Sequence, residues 1–275
     1  MTLSALIVIR NEEEQLSACL STLSFVDEIV VVLDRSTDGS REIAEATGAK
    51  IVEGTWEIEG DRRNSGIAAC SSDWILEIDA DERVTPELAR EISETLPDAA
   101  PGYFGIKFNN YVGSRLVTYG WGAYNGVNQK NALFSRGAKI WGRQRVHPAI
   151  QMEGEARLLK ERIDHYVYEN IGDMFDRLNR YSTLAAIQAR ENGAAPLLRP
   201  SLRRIFSRGF KSYISRKGRR EGAYGIALAL FSALFPIMTY IKYTVAEEGM
   251  QSIPSQSKPK KPAELKRPEP EKDSE

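Results

Sequence analysis

The feature that most constrains this chain is the alternation of strand-like and helix-like segments over its first hundred residues. Apolar runs at Leu3–Ile9, Glu28–Leu33 and Trp74–Ile78 are separated by stretches with helical spacing at Glu13–Leu23, Ser40–Thr47 and Arg62–Ala69. A further helix is expected over Pro86–Leu96, with Thr85 as its N-cap and proline at the first helical position. Strand–helix alternation with short connections implies an α/β fold built on a largely parallel sheet. Ligands of such sheets bind outside the carboxyl ends of the strands. Arg10, Asn11, Asp34, Asp79 and Asp81 are thereby expected on one rim.

Residues 102–168 read differently. Tyr103–Val112 alternates as a strand, a Gly- and aromatic-rich loop follows (Tyr119 to Tyr124), and further strands are expected near Asn131–Ser135, Val146–Met152 and Ile163–Tyr168. This is the variable half, where a second substrate would sit. From Ile171 the spacing of Met174, Leu178, Tyr181, Leu184, Ala185 and Gln188 is helical. Residues 1–168, 169–250 and 251–275 are accordingly expected to form an α/β domain, a helical region and a disordered tail, the tail holding five prolines and mixed charge.

Composition excludes several classes. Two cysteines, Cys19 and Cys70, rule out a disulfide framework or a cysteine-based zinc site. Two histidines, His147 and His165, rule out a histidine-rich metal cage, leaving a hard cation held by carboxylates open. The opening MTLSALIVIRNEE lacks a basic n-region, so a secretory signal is not expected and a reducing cytoplasm is. The net charge of −1 hides a segregation: nine basic residues and no acid lie between Arg199 and Arg220, whereas residues 1–198 carry −9. An acidic body with one basic segment does not fit a nucleic-acid binder. It fits a body docked on an anionic surface through one patch.

The string Ile78-Asp79-Ala80-Asp81-Glu82 ends an expected strand. Two carboxylates at i and i+2 can turn towards one Mg²⁺ or Mn²⁺ that keeps waters and substrate phosphates in its shell. By itself the string also suits a solvated acidic turn before a helix. Asn11-Glu12 also suits a simple helix start, Ser36 to Gly39 an Asx-type turn, and Arg62 and Arg63 a solvated surface.

Context gives these strings their order. Ile7-Val-Ile-Arg-Asn-Glu-Glu13, Val30-Val-Val-Leu-Asp-Arg-Ser-Thr-Asp-Gly39, Asp61-Arg-Arg-Asn64 and Trp74-Ile-Leu-Glu-Ile-Asp-Ala-Asp-Glu82 together resemble the family 2 glycosyltransferases. Val146-His-Pro148, Asp164-His-Tyr-Val-Tyr168 and Asn179-Arg-Tyr-Ser182 are similar to the lipopolysaccharide-core glucosyltransferase subgroup. The resemblance implies the GT-A nucleotide-sugar-binding fold, a three-layer α/β/α sandwich, here with a C-terminal helical membrane-associating extension. It implies Arg10, Asn11 and Glu12 lining a nucleotide pocket, and Asp34 and Asp38 holding base or ribose. The family's usual aspartate falls on Leu33, so Asp34 takes that role or the contact is lost. Arg62 and Arg63 would meet the diphosphate at a helix start. Asp79 would contact the nucleotide and, with Asp81, the metal. His147 would be a third metal ligand or the base that takes the acceptor proton, with Glu153 and Asp164 the other candidate bases. His165 reads as a buried, hydrogen-bonded histidine. Trp121 and Tyr124 suit either a sugar platform or packing.

The implied reaction is inverting, metal-dependent transfer of a hexose, glucose foremost, from a UDP-sugar to a membrane glycolipid. The rivals are a nucleotidyltransferase of similar architecture and a non-catalytic, membrane-bound sugar-binding protein. Ser4–Asn11 contains no glycine, against the first rival, and the pair Asp79 and Asp81 counts against the second. Leu202, Ile205, Phe206, Phe210 and Ile214 share a helix face with basic flanks, as in a helix lying in a membrane interface. Gly222–Ile241 is uncharged and of bilayer-spanning length but carries Pro236 and small residues. A buried or interfacial hairpin is favoured over a span. The expected location is peripheral or monotopic on the cytoplasmic face of the inner membrane.

Overall fold

The computed structural model describes residues 1–122, 125–144 and 148–247. His147, Tyr124, the start of the expected strand Val146–Met152 and the tail 251–275 lie outside the described residues.

The alternation at the start folds as β1 (Leu3–Ile9), α1 (Glu13–Leu20), β2 (Glu28–Asp34), α2 (Ser40–Ala46), β3 (Lys50–Gly54), α3 (Glu59–Ala69) and β4 (Trp74–Ile78). Every residue of β1 and β4 is buried, as continuous apolar runs require when both faces of a sheet are covered. There follow β5 (Glu82–Val84), α4 (Pro86–Thr95), β6 (Gly102–Val112), β7 (Arg115–Leu116), β8 (Gln129–Ser135), β9 (Lys139–Trp141), β10 (Ile150–Met152) and β11 (Glu155–Tyr168). Thr85 caps α4 by accepting from the Leu88 N–H, with Pro86 at the first helical position.

The main sheet runs β3-β2-β1-β4-β8-β6-β11-β5, with β7 on β6, and β9 pairs with β10 in a separate hairpin. The pairs β3-β2-β1-β4 are parallel. β8 is antiparallel to both β4 and β6. β11 is parallel to β6 and antiparallel to β5. The sheet is therefore mixed, not largely parallel, because β8 inserts antiparallel between β4 and β6 and β5 closes the edge antiparallel to β11. One face packs Leu16 and Cys19 of α1, Ala44 of α2 and Leu88 and Ile92 of α4 against Ile7, Leu33, Ile78 and Ile106. The other packs α3 and the β9–β10 hairpin against Leu6, Val32, Ile75 and Phe134. This is the three-layer α/β/α sandwich. A Cβ on Gly66 of α3 would stand 2.5 Å from Leu6 and 2.7 Å from Val32, so glycine there lets α3 lie close on the sheet and brings its first turn to the rim.

Helices α5 (Ile171–Glu191), α6 (Leu198–Phe210) and α7 (Ala223–Glu247) follow. Met174 and Leu178 of α5 share a core with Leu228 and Phe231 of α7 and with Val112 and Val167 of the sheet. Lys242 of α7 donates to Asn179 Oδ1 and Thr183 Oγ1 of α5, both at 2.7 Å, so Asn179 serves as a helix tether. α7 continues through Pro236. Residues Ala223–Ala246 are long and apolar enough to cross a membrane by length and composition, and a third of an 18-residue apolar window within them is buried in the protein. Part of the apolar run thus packs against α5 and the sheet.

Candidate functional site: an acidic rim balanced by distant cations

The carboxyl ends of β1, β2 and β4 meet the first turn of α3 at one rim. Two loops there carry left-handed backbone at residues other than glycine: Asn11 (φ 54°) after β1 and Arg35 (φ 53°) after β2. Asparagine adopts this region readily, but arginine does so at a cost. Arg35 is held by two hydrogen bonds of 2.9 Å to Asp34. Asn11 Oδ1 accepts from the Thr37 N–H at 2.8 Å, joining the two loops.

The expected nucleotide residues divide into exposed groups and braces. Arg10 and Asn11 are exposed at the rim. Asp34 is buried and accepts from Arg35 and from the Trp56 N–H, with Arg62 at 3.5 Å. Burial alone would raise its pKa, but these donors hold it below the ordinary carboxylate value. Asp38 accepts from the Glu13 and Ser40 N–H groups, at the starts of α1 and α2. Both aspartates brace the loops that line the rim. Arg62 pairs with Asp34 and Glu59. Arg63 has Nε, Nη1 and Nη2 engaged by Glu59, Glu77 and Asp79 respectively, and its guanidinium lies over the Trp141 ring. Arg63 is thus an internal counter-charge before it is a diphosphate ligand.

At the end of β4 the charges are layered. Glu77 is buried and meets Lys139 at 2.6 Å as well as Arg63. Asp79 lies between Arg63 at 3.2 Å and Lys130 of β8 at 3.3 Å. Glu82 is buried and takes Lys130 at 2.6 Å, and it accepts from the Asp79 N–H. Burial would raise the Asp79 carboxyl, but Lys130 and Arg63 override it and hold the group well below the usual range. Asp81 differs. Its neighbours are His165 Nε2 at 3.5 Å and Arg177 of α5 at 3.7 Å. Both are ion-pair distances, longer than those at Asp79. The second carboxylate facing this point is Glu12, pushed up to about 7 by burial and by Asp81. His165 is held by Asn110 Oδ1 at 3.1 Å and rests on Phe108. Its expected burial and hydrogen bonding are found, and it also faces Asp81.

Among the described residues no three His, Cys, Asp or Glu side chains converge as a metal-binding group. The donors still suit a hard cation that keeps most of its shell for water and phosphate. Asp81 meets its cations at 3.5 and 3.7 Å with Glu12 facing it, whereas Asp79 is held more closely by two cations at 3.2 and 3.3 Å. His147 lies outside the described residues.

Two candidate bases are not brought to this point. Glu153 is exposed, its N–H bound to Ala138 O, just before the start of β11. The register places that end beside Gly102, whereas His165 stands beside Asn110. The separation along the strand is about 25 Å. Asp164 alternates with His165 and so faces the opposite side of the sheet, where it accepts from Asn109. A general base must lie within hydrogen-bond reach of its proton, or one water away, and neither position meets that at Asp81. Trp121 is buried, stacked on Tyr168 and bonded to Val117 O, so it is packing. Lys130 and Arg177 lie in no local motif, and Glu82 closes the acidic string without its own role being marked by it.

Residues 4–178 match the family described as Glycosyl transferase family 2. This chain belongs to glycosyl transferase family 2. Within this family it is 30% identical over 208 residues to the lipopolysaccharide core biosynthesis glycosyltransferase LpsC of Rhizobium meliloti (strain 1021), covering 71% of this chain and 74% of that one. It is 37% identical over 91 residues to an uncharacterized glycosyltransferase of Rickettsia felis, 33% of this chain and 32% of the other. Among solved structures, S. aureus TarS 1–349 in complex with UDP aligns over 90% of each chain at 16% identity and TM-score 0.48. Glucosyl-3-phosphoglycerate synthase from Mycobacterium tuberculosis, in complex with Mn²⁺, UDP and phosphoglyceric acid, aligns over 40% of this chain and 43% of that one, at 24% identity and TM-score 0.34. The family 2 match covers β1 to β11 and the first part of α5, which includes Arg177.

The compensation at β4 has a measurable signature. Although burial opposes it, Lys139 and Arg63 hold Glu77 down to about 2, against an ordinary 4.5. Burial leaves Lys139 below the usual lysine range, but of this pair only Glu77 titrates on the acid side. A folded pKa below the unfolded one means stability that is complete above pH 4.5 and lost as pH falls through 2. That loss is about 3 kcal/mol. Glu77→Gln should cost about 3–5 kcal/mol at neutral pH by stranding buried cations. In urea unfolding at stepped pH, its deficit against wild type should shrink between pH 4.5 and 2. A constant deficit would contradict the assigned pairing.

Proposed function

We propose that this family 2 glycosyltransferase is an inverting, metal-dependent enzyme that moves a hexose, foremost glucose, from a UDP-sugar to a membrane glycolipid of the lipopolysaccharide-core type. The observation that carries the reading is the carboxylate of Asp81 just after β4, whose cationic neighbours stand at 3.5 and 3.7 Å on a rim where Glu77, Asp79 and Glu82 each meet a cation at 3.3 Å or closer. The kinship to LpsC supports the acceptor class. Mg²⁺ or Mn²⁺ held by Asp81, with Glu12 beside it, would neutralise charge on the departing diphosphate. Arg10 and Asn11 line the approach of the nucleotide, on loops braced by Asp34 and Asp38. Lys130 and Arg63 fix the Asp79 carboxylate at the nucleotide edge, and Arg177 brings a cation from α5 to the phosphate side of Asp81. Asp81→Ala should leave the fold intact, because the residue lies in a turn after the strand and its partners keep other contacts, His165 with Asn110 and Phe108 and Arg177 with Asp173. It should lower transfer from UDP-glucose to a lipid-linked core acceptor by several kcal/mol of barrier, on the order of a thousandfold. Undiminished UDP release by that variant would sink the metal-dependent reading.

We propose further that α6 and α7 dock this enzyme on the cytoplasmic membrane face as a peripheral or monotopic protein. Leu202, Phe206, Phe210 and Ile214 are exposed along one face, Phe206 by 78%, beside exposed Ile226 and Leu230 of α7. Phe210, Ile214, Ile226 and Leu230 border an apolar groove between the two helices. Exposed Arg199, Arg203, Arg204 and Lys211 flank it, and each cation near an anionic leaflet contributes roughly 1 kcal/mol. In flotation assays the enzyme should rise with vesicles containing phosphatidylglycerol and be released by high salt. A Phe206→Asp, Phe210→Asp variant should stay at the bottom at any salt. Flotation of that variant like wild type would place the membrane contact elsewhere.

A further inference from the structure

The cations bordering the acids after β4 are held in two ways. Arg63 spends Nε, Nη1 and Nη2 on three carboxylates, and Lys130 meets Glu82 at 2.6 Å and Asp79 at 3.3 Å. Both are internal struts. His165, beside Asp81, is fixed by Asn110 and by the Phe108 ring. Arg177 has looser ties. Its Nη2 stands 3.7 Å from Asp81, and its Nε stands 3.5 Å from Asp173, one turn earlier on α5. Its guanidinium lies 5.2 Å over the Tyr168 ring, which is itself stacked on Trp121 and donates to Asn125 O at 3.2 Å. The backbone beneath is anchored, because Met174 and Leu178 beside it on α5 are buried in the core shared with α7. A rigid helix, a fixed flat platform and two long ion pairs leave this side chain free to rotate.

Asp81 cannot serve Arg177 and a divalent cation at once. Two cations beside one carboxylate repel, more strongly where the side chains are largely shielded from solvent, as both are here. Asp81 and the facing Glu12 are also too small a ligand set to bind a hard cation firmly without phosphate oxygens. We propose that Arg177 is an exchangeable counter-charge: it holds Asp81 against a lone cation, and it turns to a nucleoside diphosphate that arrives with the cation. Its planar fork matches phosphate oxygens bidentately. Phosphate oxygens in the cation's shell lie next to Asp81, so rotation of one side chain makes the exchange. The same guanidinium thus repels the cation alone and favours the cation with diphosphate. Arg177 is a positioning residue that makes cation and nucleotide binding depend on each other, a coupling that is reciprocal by thermodynamic linkage.

The inference rests on the metal-dependent reading, and the two fail distinguishably. Mn²⁺ affinity is read from the free six-line paramagnetic resonance signal, with and without UDP, and Mn²⁺ held by UDP itself is subtracted from protein-free controls. UDP should tighten Mn²⁺ binding by wild type about a hundredfold. Arg177→Gln should bind Mn²⁺ alone about tenfold tighter than wild type and lose about tenfold or more of the tightening by UDP. Arg177→Lys keeps the charge but loses the fork, so it should bind Mn²⁺ alone as weakly as wild type and show a smaller UDP effect. A role confined to packing α5 would not raise the affinity for Mn²⁺ alone. Unchanged or weaker binding of Mn²⁺ alone by Arg177→Gln, or an unreduced UDP effect in that variant, would overturn the exchange and leave the metal-dependent reading in place. No binding of Mn²⁺ by wild type at saturating UDP would overturn that reading and the exchange with it.

Discussion

The buried charge balance at the end of β4 is the constraint around which the rest is arranged. Glu77, Asp79 and Glu82 lie within one short stretch of chain, and a cluster of carboxylates is not tolerated at low dielectric without compensation. Compensation arrives from three directions: Arg63 from α3, Lys130 from β8 and Lys139 from β9. Each of those elements must therefore sit where it does. Gly66 lets α3 come close enough for Arg63 to reach, and the antiparallel insertion of β8 beside β4 delivers Lys130. The β9–β10 hairpin delivers Lys139 and a Trp141 ring that lies against both Arg63 and Lys139. What the arrangement leaves over is Asp81, a partly exposed acid whose cationic neighbours, His165 and Arg177, stand at 3.5 and 3.7 Å.

This explains which parts of the site could be read from the chain alone. The strand ends, Thr85 as a cap, the rim position of Asp79 and Asp81, and the family all follow from local patterns: continuous apolar runs, a proline at a helix start and ordered short motifs. The roles within the rim do not. Asp34 and Asp38 occur in a motif that suits nucleotide contacts, yet their oxygens are spent on Arg35, Trp56, Glu13 and Ser40. Lys130, His165 and Arg177 reach Glu82 and Asp81 across 48 to 96 positions of sequence; the sheet order β4-β8-β6-β11-β5 brings the first two there, and α5 the third. The same order explains why β5, three residues long, was not foreseen: it follows Asp81 directly but pairs with β11 at the far edge. β3, β7 and β9 are short and partly polar, which gives periodicity little to work with.

The basic, apolar C-terminal region follows the same division. Charge segregation along the chain marks a patch, and helical spacing marks the exposed face of α6. Pro236, read from the sequence as a break in the apolar run, is carried inside α7. Neither pattern shows that α7 buries Leu228 and Phe231 against α5, or that Lys242 is drawn back to Asn179 and Thr183. Those contacts tie the helices to α5, and α5 carries Arg177 to Asp81. The proposed membrane-facing layer and the rim thus share one helix. This gives a physical reason for the family match to extend past the last strand.

The central claim is that the carboxylate of Asp81 holds a divalent cation together with a nucleoside diphosphate. Electron paramagnetic resonance of Mn²⁺ tests it without any acceptor. Free Mn²⁺ gives a sharp six-line signal that is lost on binding, and Asp81→Ala can be compared with wild type at equal protein and UDP. The account predicts that wild type plus UDP depletes the free signal beyond what UDP alone does, and that the variant does not. Equal depletion by both proteins, or none by wild type, would contradict it.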